Sequence, residues 1–298
     1  MGIRARTSEE WAVRRLCAAH RLYSLSKAWL VWEMISLAPP LIVAAIVVVV
    51  VPEASVLAAF GSTLSAILSQ TLFEGRRTRY RKLASRASDE YDRYVLGISK
   101  NRVAPDGELP PEIIAKHASR VPSEWRTRAK GWYSDVPADL PESRARLLCQ
   151  RQNCAIDSGV RHEYISWVVG FGTAAVATIS LAVVTAGLPA DLVLLMLVAP
   201  SLPIILFCIR EVRFHRQATD RVEKLAAIAT QLLHAEKPDA ELLHDSAQLQ
   251  DEITAHRRED PPPFEWVYQH HRKRHPDASR IAQEELAEAI RARLSELT

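Results

Sequence analysis

Charged side chains vanish from four stretches of this chain, and elsewhere apolar side chains recur at helical spacing. No Asp, Glu, Lys or Arg occurs from Met34 to Val51, Ala54 to Phe73, Tyr164 to Ala190, or Leu192 to Ile209, runs of 18, 20, 27 and 18 residues. A helix rises about 1.5 Å per residue, so the shortest run reaches about 27 Å, close to the hydrocarbon thickness of a bilayer. One Lys or Arg at mid-membrane costs roughly 2.5–3.5 kcal/mol, whereas each Leu, Ile or Val returns a few tenths, so missing charge is the informative feature. The pattern predicts four membrane spans in two hairpins, turning at "VPEAS" around Pro52 and at "TAGLPAD" around Pro189.

Past each hairpin the period changes from uniformly apolar to amphipathic. Tyr80, Leu83, Ala84, Ala87, Tyr91, Val95 and Ile98 fall on one face, as do Ala218, Val222, Leu225, Ala229 and Leu232. No Pro separates either series from its span, and only Gly75 intervenes before the first, so the spans are expected to extend into a helical stalk. Between them Pro105, Pro110, Pro111, Pro122, Pro137 and Pro141 leave room for at most one short helix, near Glu112 to Arg120. Pro261 to Pro263 make another break, and Ile281, Leu286, Ile290, Leu294 and Leu297 mark an amphipathic tail. The expected class is an all-α integral membrane protein. Residues 1–33 form a cytosolic amphipathic segment, 34–73 and 164–209 the hairpins, 74–163 a cytosolic helix-loop-helix insert, and 210–298 a cytosolic helical region.

Charge position orients this arrangement. Arg14, Arg15, Arg21 and Lys27 precede the first hairpin, and Arg76, Arg77, Arg79, Arg81 and Lys82 follow it; neither hairpin turn holds Lys or Arg. The positive-inside rule places both termini and the insert in the cytoplasm. The net charge of the 298 residues is only +3, so the basic excess is positional and suits anionic headgroups. Cys17, Cys149, Cys154 and Cys208 fall on or near the cytosolic side and are expected to be free thiols.

Placed on a helix beginning after Pro141, Arg146, Gln150, Asn153, Asp157 and Arg161 share a sector of roughly 80° at 100° per residue. Three readings compete for this polar row: a paired or solvated docking face, a network coupling cytosolic domain to membrane, and a metal site at Cys149-x4-Cys154. The cysteine spacing is wrong for a zinc knuckle and no second pair lies nearby.

The stretch "KGWYSDVPADLPESRARLLCQRQNCAIDSGVRHEY" resembles the signature of the SMODS-associated four-transmembrane effectors, matching at Trp132, Tyr133, Cys149, Gln150, Arg151, Asn153, Asp157 and Arg161. "LQDEITAHRREDPPPFEWVYQHHR" is similar to the tail of that family at Gln250, Asp251, Arg257, Trp266 and Tyr268, and the chain departs from the pattern at Ala155 and Ile156, where an aromatic precedes the Asp. The resemblance implies a membrane effector of bacterial antiphage defence, working beside a nucleotidyltransferase that makes a cyclic oligonucleotide and permeabilising the membrane when that messenger arrives.

Two stretches bear on that implication. Ser55, Ser62, Ser65 and Ser69 share one side of the second span; such a face either packs helices closely or lines a water path when copies assemble. In "WRTRAKGWY", Arg126, Arg128 and Lys130 offer cations for phosphates, while Trp132 and Tyr133 offer rings for bases; the competing reading is a loop resting on anionic lipid. No G-x-S-x-G, H-E-x-x-H, Walker or dinucleotide fingerprint occurs, so neither catalysis nor a cofactor is expected, and duplex nucleic acid is not an expected partner. The expected partners are the bilayer, further copies of the chain, and a cyclic oligonucleotide. The coupling motif is Arg146, Cys149, Gln150, Arg151, Asn153, Asp157 and Arg161. The alternative is a membrane-anchored sensor or adaptor that recruits a partner without conducting.

Overall fold

The computed structural model describes residues 2–36, 55–99, 107–133, 136–186, 199–275 and 277–296. Ten helices occur among them: α1 (Ile3–Thr7), α2 (Glu10–Ser36), α3 (Ser55–Leu96), α4 (Pro111–Ala118), α5 (Ser123–Ala129), α6 (Glu142–Ala186), α7 (Ala199–His234), α8 (Asp239–Glu259), α9 (Glu265–Arg274) and α10 (Ala278–Glu296). No strand occurs among the described residues, and the fold class is all-α.

Two long pairs organise the molecule: α2 packs along α3, and α6 along α7. The expected stripes are the ones that pack. Ala84, Ala87, Tyr91, Val95 and Ile98 of the first series are buried, as are Ala218, Val222, Leu225 and Ala229 of the second; there Leu233 takes the buried position and Leu232 lies beside it. Alanine at these positions lets helix backbones approach closely, and Ala12, Ala18 and Ala19 do the same from α2. The helix α8 closes this core from the side with Leu242, Leu249 and Ile253. A second cluster, nearer the apolar runs, joins Leu30, Val160, Tyr164, Val168, Phe207, Phe264 and Val267.

Helix ends are tied by side chains from other elements. Gly97 terminates α3 at φ 68°, a conformation that costs Gly little, and the Ile98 amide donates to the Arg93 carbonyl at 2.8 Å. At the end of α7, Arg144 donates to the carbonyls of Leu232 (3.1 Å), Leu233 and Ala235 (2.8 Å), which helix geometry leaves without partners.

The insert holds more helix than its prolines suggest. Pro111 opens α4 and Pro122 caps α5, so a proline read as a break is a helix start. Arg126 and Arg128 therefore lie on a helix, and only Lys130 to Tyr133 form the turn after it. In the tail, Ala287 and Ile290 are buried whereas Ile281 is exposed.

Among the described residues, no helix is long and apolar enough to cross a membrane. Most of the first charge-free run, both hairpin turns and the start of the fourth run lie outside the described residues. The backbone of α3 includes Ser55, Ser62, Ser65 and Ser69, but the side chains of that face also lie outside them.

Candidate functional site: a buried polar path from an aromatic cavity to the apolar runs

The polar row of α6 turns inward, and its members are held by the end of α3, by α8, by the turn after α5 and by the proline stretch after α8. Arg146 donates to the Gly97 carbonyl at 2.8 Å and meets Glu142 at 3.2 Å, fastening the end of α3. Gln150, fully buried, donates to the Ser246 carbonyl at 2.8 Å and to Gln250 at 3.2 Å, and accepts from the Ser246 hydroxyl at 3.0 Å. Asn153 donates to the Tyr133 hydroxyl at 2.6 Å, and that hydroxyl donates to Asp92 at 2.8 Å. Asp157 accepts from Arg161 at 3.0 Å and from His256 at 2.7 Å. Arg161 donates to the Pro261 carbonyl at 2.9 Å and lies 3.2 Å from His215. In a poorly solvated interior each unmade bond would cost about 1–3 kcal/mol, so these bonds specify how α6 seats on its neighbours.

The remaining motif members play other parts. Cys149 is buried in the core, and burial pushes its thiol well above the ordinary range; Cys154, similarly buried, is pushed up to about 12. Arg151 lies on the flank of the row, with a single long bond of 3.4 Å to Thr230. Burial opposes ionisation of Asp157, but Arg161 and His256 outweigh it and hold the carboxyl far below its usual range. Burial likewise lowers His256, and Asp157 and Asp260 more than compensate, so its value is raised.

A cavity of about 230 Å³ opens beside this row. Trp125 and Trp132 stand on its wall with ring centroids 6.5 Å apart, and His20 stacks on Trp125 at 4.1 Å. Asp157, Arg161 and His256 line it too, so the row and the cavity share side chains. The expected ligand residues separate here. Trp132 lines the cavity, but Tyr133 is 1% exposed and its ring is turned into the Asn153–Asp92 network, where no base could reach it. Arg126 reaches Glu10 at 3.3 Å, Lys130 is exposed, and Arg128 lines a second cavity beyond Trp132.

From Arg161 the contacts continue toward the apolar runs. His215 lies 3.7 Å from Glu211, which accepts from the Tyr164 hydroxyl at 3.0 Å and faces Arg77 at 3.4 Å. Arg77 also lies 3.4 Å from Glu33, and Glu33 accepts from Arg210 at 2.6 Å. Thus α2, α3, α6 and α7 each place a buried polar side chain in one cluster, at the end of the charge-free runs where charged sequence begins. The sequence reading missed Glu33, Arg77, Glu211, His215 and His256. A legible signal existed for Glu33, an acid set between Trp32 and Met34 with no charge after it for 19 residues.

Among the described residues no group of His, Cys, Asp and Glu is placed to hold a metal ion, and the four cysteines are free. The family model of the SMODS-associating 4TM effector domain matches residues 1–286, and the chain belongs to that family. No curated protein and no solved structure matches it. Membership carries an effector role in cyclic-oligonucleotide defence signalling.

Proposed function

We propose that this chain is a four-span effector of a bacterial inner membrane, with both termini cytoplasmic. It self-associates and permeabilises the membrane when a cyclic oligonucleotide from a partner nucleotidyltransferase reaches its cytosolic region. The observation that carries this reading is the unbroken polar path from the tryptophan-lined cavity through Asp157, Arg161 and His215 to the Glu33–Arg77–Glu211 cluster. A ligand that pulls Arg161 or Asp157 toward the cavity unbalances buried charges where four helices meet, and such an interior answers by repacking rather than by smooth deformation.

Exposed apolar side chains support the spanning part. Phe60, Leu72, Phe171, Leu181, Leu206 and Ile209 are each more than half exposed, and all fall in the charge-free runs. So much apolar surface in one region marks contact with lipid or with another chain. The α6 backbone also stays helical from Tyr164 to Ala186 without a charged residue, a length of about 35 Å. The face of Ser55, Ser62, Ser65 and Ser69 is the surface proposed to meet its copies.

Purified protein in dye-loaded liposomes tests the reading, with cyclic di- and trinucleotides as probes. Release of dye on addition of one probe is the expected result, and Ser62→Leu with Ser65→Leu should abolish it while insertion persists. Binding without release would replace the pore by a membrane-anchored adaptor.

A further inference from the structure

The second cavity, about 460 Å³, adjoins the first and shares with it a wall of Trp125, Trp132, Asn153, Ile156, Val160 and Tyr268. The two chambers differ in charge. Asp92, Asp157, Asp260 and Glu265 line the inner one together with Lys27, Arg161, His256 and Arg257, with which they pair, whereas no carboxylate lines the outer one. The outer chamber instead gathers Arg128 from α5, Arg151 from α6, and Arg272 with His271 from α9. Among the described residues neither Arg128 nor Arg272 has a carboxylate within 4.0 Å, and Arg151 reaches only the Thr230 hydroxyl. Arg280, paired with Asp277 and Glu284, lines the chamber as well, so side chains from four helices give it a cationic wall in which Arg128 and Arg272 are exposed and Arg151 is half-buried. Such a wall is complementary to an anion, and guanidinium geometry suits phosphate oxygens.

Gln283 gives an independent sign. It is 1% exposed, it lines the outer chamber, and its side-chain carbonyl oxygen has no donor, while its amide donates to Gln152. A buried acceptor of this kind costs about 1–3 kcal/mol until a donor arrives. Its natural donor is an N–H group on the same ligand that brings the anion.

We infer that the two chambers form one cleft for a phosphodiester-linked nucleotide, with phosphates held by Arg128, Arg151 and Arg272 and a base stacked at Trp132 on the shared wall. The inference rests on the proposed function for the route of the signal, and it adds where and how the messenger binds. The charge difference sets the orientation: the unpaired cations of the outer chamber take the phosphates, and the inner chamber, whose acids are already paired, takes the base beside the tryptophan wall. Cavity size agrees, since small-molecule sites commonly run from about 300 to 1,000 Å³. An anionic lipid headgroup would satisfy the arginines, but it has no flat ring for the tryptophan wall.

The test is equilibrium binding of labelled cyclic di- and trinucleotides to the full chain in phosphatidylcholine nanodiscs. Arg128→Ala and Arg272→Ala should each weaken the bound probe about tenfold or more, from the strength of charged hydrogen bonds. Trp132→Phe should weaken it less than Trp132→Ala, and Arg291→Ala, which breaks a surface pair with Asp139, should leave it unchanged. Full affinity in the Arg128→Ala/Arg272→Ala double variant, folded by circular dichroism, overturns this site while leaving the proposed function intact. A wild-type chain that binds none of the probes overturns both. Displacement of the probe by phosphatidylglycerol nanodiscs, lost in the arginine variants, makes the cleft a lipid site and overturns the inference.

Discussion

Arg77 on α3 and Glu211 on α7 face each other at 3.4 Å, with 1% and 0% of their side chains exposed. Glu33 from α2 lies equally close to Arg77, but the two carboxyls are not equivalent. Burial lifts both. In Glu33 it prevails over Arg77 and Arg210, so the carboxyl is raised, whereas in Glu211 the neighbouring His215 and Arg77 win and bring it down to about 2. Glu211 is the firmly ionised partner of the cluster.

That asymmetry predicts unequal costs for two chemically identical substitutions. Glu211→Gln takes the firmly ionised carboxylate from Arg77, leaving it Glu33 and Glu74, and should destabilise the folded protein by about 3 kcal/mol, the usual penalty for breaking a buried pair from one side. Glu33→Gln resembles the protonated acid and should cost roughly 1 kcal/mol. Thermal unfolding in detergent measures both, and equal losses would show the carboxyls to be interchangeable.

The triad of Asp157, His256 and Asp260 makes the seating of α8 on α6 depend on pH. His256 is raised above its ordinary 6.5, so its stabilisation is complete below 6.5 and is lost as pH rises through the folded value. Asp157 is lowered from 3.8, so its contribution is present above 3.8 and is lost as pH falls through its folded value. His20, lowered to about 4, and His215, also lowered, work the other way and favour the fold above 6.5. The difference in stability between wild type and His256→Gln isolates the triad. It should be largest near pH 5.5 and shrink steadily toward pH 9. A difference independent of pH would mean that folding leaves the proton affinity of His256 unchanged, and one that grows with pH would mean that the fold holds it neutral.

Gln150 and Arg151 are adjacent in sequence and opposite in consequence. Gln150→Ala abandons the Ser246 carbonyl and hydroxyl and the Gln250 amide in a buried site, and should cost about 2 kcal/mol. Arg151→Ala gives up one 3.4 Å bond and should change stability by less than about 0.5 kcal/mol. Chemical denaturation of the two variants checks the contrast, and ligand affinity should rank them in the reverse order.

This contrast also marks how far the sequence could be read. Steps of 100° along one helix placed Arg146, Gln150, Asn153, Asp157 and Arg161 on a common face and Arg151 beside it, because that geometry is local. The partners were not legible: Ser246, His256 and Pro261 come to α6 from about a hundred residues away, and no periodicity reports such a meeting. Tyr133 shows the same limit. Its ring chemistry suited a base, but its hydroxyl is committed to Asp92 on α3, a contact that only packing decides. Proline misled at Pro122, since the same residue that ends one helix can begin the next.

Gly159 tests the link between the row and the outer chamber. A methyl group there would lie 2.9 Å from the His271 ring, which is held at 3.0 Å by Glu163. The ring is the end of a side chain and can swing away, whereas the helix α6 cannot. Gly159→Ala also gains about 1 kcal/mol of helix propensity, which offsets the lost His271–Glu163 contact. Stability should therefore stay within about 1 kcal/mol of wild type, while nucleotide affinity falls several-fold because His271 has left the chamber wall. His271→Ala in the same background should add nothing further, since the two changes remove one side chain from one place. Additive losses in that double variant would show that Gly159 acts through the helix and not through the histidine.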